Sequence, residues 1–341
     1  MSKKGNSYTI ELKKKYDNQA FRRIQGSADF PEDRRTYKKF KSKTDPPDGS
    51  LRHTYNGTHT MSIFRSGIQS ILPDTILLLS GPGCPVCVTA QGEIDACIEL
   101  AGIDDVIITT FGDLLRVPGA DSSLQNQRAN GRDIRMVYST FDALEVAQKN
   151  PEKKVVFLGI GFETTAPTIA ASIVTANEMN LNNYFVFSAH KLLPPALFTL
   201  MESMNTKIDG FFLPGHVSVI IGTKAYLPFF EQYHIPSVIA GFEPVDILQA
   251  IFMLVEQIET GNPELANGYQ RAVTFDGNRK AQAIMQKVFE TADANWRGLG
   301  TIPKSGLKIR KEFAAFDAQK VFGIEIGETE DPKGCACGEI L

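Results

Sequence analysis

The chain is short of cysteine, of tryptophan and of net charge. Five cysteines in 341 residues are too few for a disulfide-built scaffold, and their spacing is uneven. A net charge of -3 argues against a nucleic-acid-binding surface, which carries a basic excess. No apolar run reaches the roughly 20 residues needed to span a bilayer. The N-terminus has charge but no apolar h-region, so it does not read as a secretory signal. The cytoplasm is therefore the expected compartment, with no membrane and no nucleic acid among the partners. No G-x-x-x-x-G-K-[ST] phosphate loop occurs. Gly159-Ile-Gly161 opens like a dinucleotide fingerprint, but Thr164 stands where the third glycine belongs.

What is present is a hydrophobic content of 43%, enough for a sizeable core. Residues 1–50 are an exception, with Lys and Arg concentrated at Lys13–Lys15 and Arg34–Lys43. They read as a basic, solvated N-terminal segment. Beyond them, apolar runs of strand length recur, each followed by a loop that opens a helical pattern: 76–80, 106–110, 155–159, 184–188, 211–213 and 237–240. Continuous β-branched and aromatic runs suit strands buried on both faces of a parallel sheet, and their alternation with helical patterns argues for βαβ units. The expected fold class is α/β: two Rossmann-like α/β lobes with parallel sheets facing a cleft, plus a small C-terminal region. Approximate bounds are 51–150 for the first lobe, 151–270 for the second and 271–341 for the C-terminal region, with exchange of segments between lobes allowed.

The chemistry-bearing residues gather in the loops at the carboxyl ends of these strands, where open α/β sheets bind ligands. Gly81-Pro-Gly-Cys-Pro-Val-Cys87 is the most specific of them. A C-x-x-C turn brings two sulfurs to one side, able to ligate one metal or to close a small disulfide. A helix N-terminus would favour their thiolates. Soft thiolates suit iron and zinc, and a zinc held jointly with the C-terminal pair Cys335 and Cys337 is the competing reading. Cys97, on the apolar face that also carries Ile94, Ile98 and Ala101, reads as core. The other candidate cleft residues are Glu163, Thr164, Thr165, His190, His216, Glu243 and Asp246. Thr164 and Thr165 can equally cap the following helix, as can Glu243 and Asp246 theirs.

Taken together, Asn56-Gly-Thr-His-Thr60, Gly81–Cys87, Gly161-Phe-Glu-Thr-Thr165, Leu213-Pro-Gly-His-Val-Ser218, Ala240-Gly-Phe-Glu-Pro244, Trp296-Arg-Gly-Leu-Gly300 and Gly334-Cys-Ala-Cys-Gly-Glu339 resemble, in order, the motif set of the HypD family of [NiFe]-hydrogenase maturation factors. The resemblance runs from about residue 50 to the C-terminus. It implies a scaffold on which an iron acquires two cyanides and one carbon monoxide. The implied partners are a small HypC-like chaperone and a HypE-like cyanide donor, with cleft thiols that hold iron or supply electrons. Carried over residue by residue, it implies that Cys84, Cys87 and His59 hold Fe²⁺, with Asn56 and Thr58 lining the same cleft. Two departures stand out. The family has cysteine directly before Gly-Thr-His-Thr, where this chain has Asn56, and a neutral amide is a poor iron ligand. The family also carries further cysteines after the C-x-C motif. Cys335 and Cys337 alone cannot supply four thiolates, so no [4Fe–4S] cluster is expected in this chain. Besides the HypD-like role, two readings stay open: a paralogue repurposed for metal binding or thiol transfer on another client, and a binding scaffold without chemistry of its own.

Overall fold

The computed structural model describes residues 51–55, 57–203, 208–327 and 329, with side chains described from residue 59 onward except that of Ser203. Asn56, Cys335, Cys337 and the basic segment 1–50 lie outside the described residues, as does the side chain of Thr58. Among the described residues there are eleven strands: β1 (Leu51–Tyr55), β2 (Ile76–Ser80), β3 (Val106–Thr110), β4 (Ile134–Met136), β5 (Lys154–Gly161), β6 (Tyr184–Lys191), β7 (Gly210–Pro214), β8 (Ser237–Ala240), β9 (Leu265–Asn267), β10 (Phe289–Trp296) and β11 (Gly300–Ile309). They form two sheets, in the orders β2-β1-β7-β8-β9 and β10-β11-β6-β5-β3-β4.

The five-stranded sheet is parallel throughout. In the six-stranded sheet β4, β3, β5 and β6 are parallel, whereas the hairpin β10–β11 adds antiparallel to the free edge of β6. The expected α/β class holds, with this hairpin as the departure from all-parallel lobes. Its burial alternates along β10 instead of forming a continuous apolar run, because one face packs and the other meets water. Neither sheet is contiguous in the chain. Residues 51–80 and 210–267 supply one, 106–191 and 289–309 the other, so the approximate lobe bound at 150/151 falls between β4 and β5, both strands of the six-stranded sheet.

Side chains along each buried strand part to opposite faces, as the two-residue period of a strand requires. On β5, Val155 and Phe157 enter one core and Val156, Leu158 and Ile160 another. On the other sheet, Phe212 and Val238 point to one core. Phe211, Leu213 and Ile239 point to a second, where they meet Val88 from the turn after β2 and Phe162, Trp296 and Ile302 from the six-stranded side. This last cluster is the junction of the two sheets. Trp296 is fully buried there, its indole N–H donating to Ser305 Oγ at 2.8 Å.

Candidate functional site

β2 ends at Ser80, and Gly81-Pro-Gly leads into one turn of helix, Pro85–Val88. Cys84 caps that turn from an extended conformation and Pro85 starts it, its fixed φ suiting the first helical position. The Cys87 amide donates to Cys84 Sγ at 3.3 Å, and the Cys87 thiol lies 2.7 Å from the same sulfur. Cys84 is thereby pushed down to about 6, chiefly by the Cys87 thiol and, after it, by the amides of Cys87 and Val86; partial burial and the nearby Asp113 oppose the shift. These specific donors, more than a helix dipole, favour the thiolate, since a single turn carries little macrodipole. Cys97, by contrast, is buried and its thiol is pushed up by desolvation. Val86 packs against the core of the six-stranded sheet and Val88 into the junction, so the dithiol turn is wedged between them.

The segment after the dithiol is tied down by residues that the sequence did not single out. Glu93 accepts the Ala90 amide at 3.1 Å and both of its oxygens lie 2.8 Å from Lys191 Nζ, at the end of β6. Lys191 has no exposed surface, and burial pushes the Glu93 carboxyl up against the opposing pull of the ammonium. Arg297, just past β10, donates its amide to Val88 O at 2.9 Å and its guanidinium to Gln91 Oε1 at 2.8 Å. A charged side chain inside an apolar helical pattern, as Glu93 is, was the available signal for this pair.

Glu163 lies just beyond β5 and is 2% exposed. Oε1 accepts the Leu193 amide at 2.9 Å, while buried Oε2 has no hydrogen-bond partner among the described residues. Burial pushes this carboxyl up to about 7, against its own amide and that of Leu193. Its neighbours in the chain and in space are junction residues: Phe162 stacks on Trp296 at 6.1 Å, and Tyr226, whose hydroxyl is pushed up by burial and to a smaller degree by Glu163, shares a 3.0 Å hydrogen bond with Ser218. Thr164 is half-buried in the same loop. Thr165 occupies the N-cap of helix Ala166–Glu178, but its hydroxyl turns back to Phe162 O at 3.3 Å rather than capping. It fills the space over Gly161, where an added Cβ would fall 1.8 Å from Thr165 Oγ1.

His190 is not in a loop: β6 continues through Lys191, and His190 pairs in register with Gly161 and Leu307. Ser188 Oγ donates to Leu307 O at 2.9 Å and accepts from His190 Nδ1 at 3.0 Å. The ring packs over Gly159 and lies 5.4 Å from Phe289, and burial pushes it down to about 3. This is a neutral core histidine.

His59 and His216 gather at the carboxyl ends of the five-stranded sheet. His59 Nε2 lies 3.0 Å from Gly241 O and 3.3 Å from Ala240 O, so that nitrogen carries the proton and Nδ1 is a bare acceptor. Its ring stacks on Phe242 at 4.5 Å, and the His216 ring meets the same phenyl at 5.0 Å. Both rings are pushed down to about 4 by burial, and neither Nδ1 has a hydrogen-bond partner among the described residues. Glu243 is the N-cap residue of helix Pro244–Thr260, and its amide donates to Asp246 at 3.3 Å. Asp246 takes a two-pronged contact from Arg271 at 2.6 Å, and Glu243 lies 3.3 Å from the same guanidinium. Both acids therefore cap a helix and hold a cation that lies over Tyr269.

The structure thus draws Cys84 and Cys87 together and pairs His59 with His216. Val88, Phe162 and Val217, the chain neighbours of Cys87, Glu163 and His216, pack in one core. Among the described residues no three of His, Cys, Asp and Glu converge as a metal-binding group. For an iron cargo, two soft sulfurs fit as ligands, and the rest of its shell must come from elsewhere. Among the described residues no helix is long and apolar enough to cross a membrane.

Fold and site together define a two-sheet α/β protein with a paired, activated dithiol at the junction of its sheets. Residues 43–341 match the family described as "HypD: Hydrogenase formation hypA family". The hydrogenase maturation factor HypD of Cupriavidus necator is 47% identical over 293 residues, covering 84% of this chain and 77% of that protein. The protein of the same name from Escherichia coli is 44% identical over 286 residues, with 84% and 77% covered. A putative hydrogenase expression/formation protein of Methanocaldococcus jannaschii is 42% identical over 285 residues, with 84% and 79% covered. The chain belongs to the HypD family.

Proposed function

We propose that this chain works as a HypD-type hydrogenase maturation factor in which the Cys84–Cys87 dithiol handles the Fe(CN)₂CO unit of a [NiFe]-hydrogenase during assembly. One observation carries the reading: the two sulfurs lie 2.7 Å apart, with Cys84 held down to about 6. A thiolate available at neutral pH is both a soft iron ligand and a nucleophile. Closing the dithiol to a disulfide also releases two electrons and two protons, which matches the two electrons needed to cleave a sulfur–cyanide bond. His59 does not converge with the two sulfurs as a metal-binding group among the described residues, so the remaining ligands are assigned to partners. A HypC-like chaperone would supply a remaining ligand and a HypE-like protein the cyanide.

The test is anaerobic Fe²⁺ titration of the wild type, Cys84→Ser, Cys87→Ser and Asn56→Cys, with infrared spectra of protein co-produced with maturation partners. Loss of iron and of the cyanide and carbonyl bands in both serine variants is expected, with tighter iron binding in Asn56→Cys. Full iron binding by the serine variants would rule the dithiol out. No gain in Asn56→Cys, with the dithiol still cycling, would favour the repurposed thiol-transfer reading, for which Asn56 in place of the family's cysteine is the supporting observation.

A further inference from the structure

The turn that brings Cys84 and Cys87 together is only Pro85–Val88 long. One helical turn does not sustain itself, because ordering its backbone outweighs its first hydrogen bond. The turn must be held from outside. Thr89 Oγ donates to Pro85 O at 2.7 Å, a contact within the segment itself. Glu93, which accepts the Ala90 amide and pairs with Lys191, ties residues 90–93 to β6, and a second set of ties comes from the end of hairpin β10–β11, some two hundred residues away in the chain. Thr89 forms an antiparallel bridge with Trp296, the Arg297 amide donates to Val88 O, and the Arg297 guanidinium donates to Gln91 Oε1. Trp296 is itself fixed between Ser305 and Phe162. Arg297 is 5% exposed, so its charged hydrogen bond to Gln91 is sheltered from water.

We propose that Arg297 is the positioning residue of the dithiol: through Gln91 it keeps residues 88–91 against the hairpin and so keeps Cys87 Sγ on Cys84 Sγ. The inference rests on the redox reading of the pair given above. When the pair exchanges with a small cyclic disulfide, the Cys84 thiolate attacks one sulfur of the probe and breaks its S–S bond. Cys87 then loses its proton and attacks Cys84 Sγ in the mixed disulfide. One chain disulfide and one reduced dithiol result, the probe's two thiols taking up the proton that Cys87 releases and one from the water to which Cys84 had already lost its own. The equilibrium constant of this exchange reads how well the chain holds the two sulfurs together.

The experiment measures that constant against oxidised and reduced dithiothreitol, on the full chain, by acid quench and mass spectrometry. Arg297→Gln and Gln91→Leu should each lower it about tenfold, the effect of one charge-assisted hydrogen bond. The double variant should lower it no further than Gln91→Leu alone, because both changes remove the Arg297–Gln91 bond and the Gln91–Asp95 bond is already lost in that variant. Arg297→Lys should recover part of the loss. Ile251→Ala, on the buried face of helix Pro244–Thr260 and away from the junction, should lower the melting temperature and leave the constant unmoved. Gln91→Leu removes the bond from the other side, so poor folding of one Arg297 variant leaves the test standing. Wild-type values in Arg297→Gln and Gln91→Leu, or an equal drop in Ile251→Ala, would overturn the positioning role while leaving the redox reading intact. If the wild type forms no Cys84–Cys87 disulfide at any probe ratio, the redox reading fails, and this inference with it.

Discussion

Glutamine in place of Glu163 should make the protein more stable at pH 8.5 than the wild type and leave it nearly unchanged at pH 4. The carboxyl is 2% exposed, one oxygen accepts the Leu193 amide, and the other has no partner among the described residues. Burial pushes it up from 4.5 to about 7. Below 4.5 the folded and unfolded forms both hold the proton, so the group contributes no pH dependence. Between 4.5 and about 7 the unfolded chain releases its proton while the folded one keeps it, and stability falls as pH rises. Above that window both are ionised, and the interval between the two values corresponds to about 3 kcal/mol lost. The substituted amide carries no such penalty, and its carbonyl can still accept from Leu193. Denaturant unfolding of both proteins across pH 4–9 measures the difference, which should grow to about 3 kcal/mol in favour of the variant. A difference that stays constant with pH would refute the reasoning.

His59 should produce the opposite trend: held down to about 4 against an ordinary 6.5, it adds stability above 6.5 that is lost as pH falls through 4, and His59→Gln should flatten that acid limb in unfolding experiments. Lys191→Met should destabilise by about 3 kcal/mol, the low end for breaking a buried pair because Glu93 can take up a proton, and Glu93→Gln added to it should recover part of the loss in denaturant midpoints. Alkylation of Cys84 by iodoacetamide, followed by mass spectrometry, should rise with pH through about 6 in the wild type. In Cys87→Ser the midpoint should move up, since the Cys87 thiol is the chief cause of the shift. Gly241→Ala should destabilise by about 1–3 kcal/mol, because its Cβ would fall 2.1 Å from Asp246 Oδ2 and disturb the Arg271 contact; an unchanged melting curve would contradict this.

The sequence by itself determined the elements whose signal is local. β2, β3 and β8 fall on the bounds of their apolar runs, 76–80, 106–110 and 237–240. β3 and β8 do so because a strand buried on both faces writes its burial directly into consecutive residues, whereas β2 is an edge strand with Leu77 exposed and only Leu78 fully buried. The order of the loop motifs was enough for the family. The C-x-x-C spacing was enough for a dithiol, since two sulfurs three residues apart meet wherever the chain turns. β1 and the hairpin β10–β11 left no such trace: Leu51-Arg-His-Thr-Tyr55 is not an apolar run, and β10 alternates. They are strands because partners far away in the chain pair with them, β1 between β2 and β7, β11 along β6. The same holds for the site. Glu163 and His216 could be picked out as residue types in strand-end loops, but only tertiary structure put His190 inside a strand and gave Glu243 and Asp246 to Arg271. Only tertiary structure, too, set Lys191 on Glu93 and Arg297 on Gln91, contacts across 98 and 206 residues. Periodicity reports what a residue's neighbours in sequence are doing; which distant charge will be buried beside it depends on how the two sheets meet.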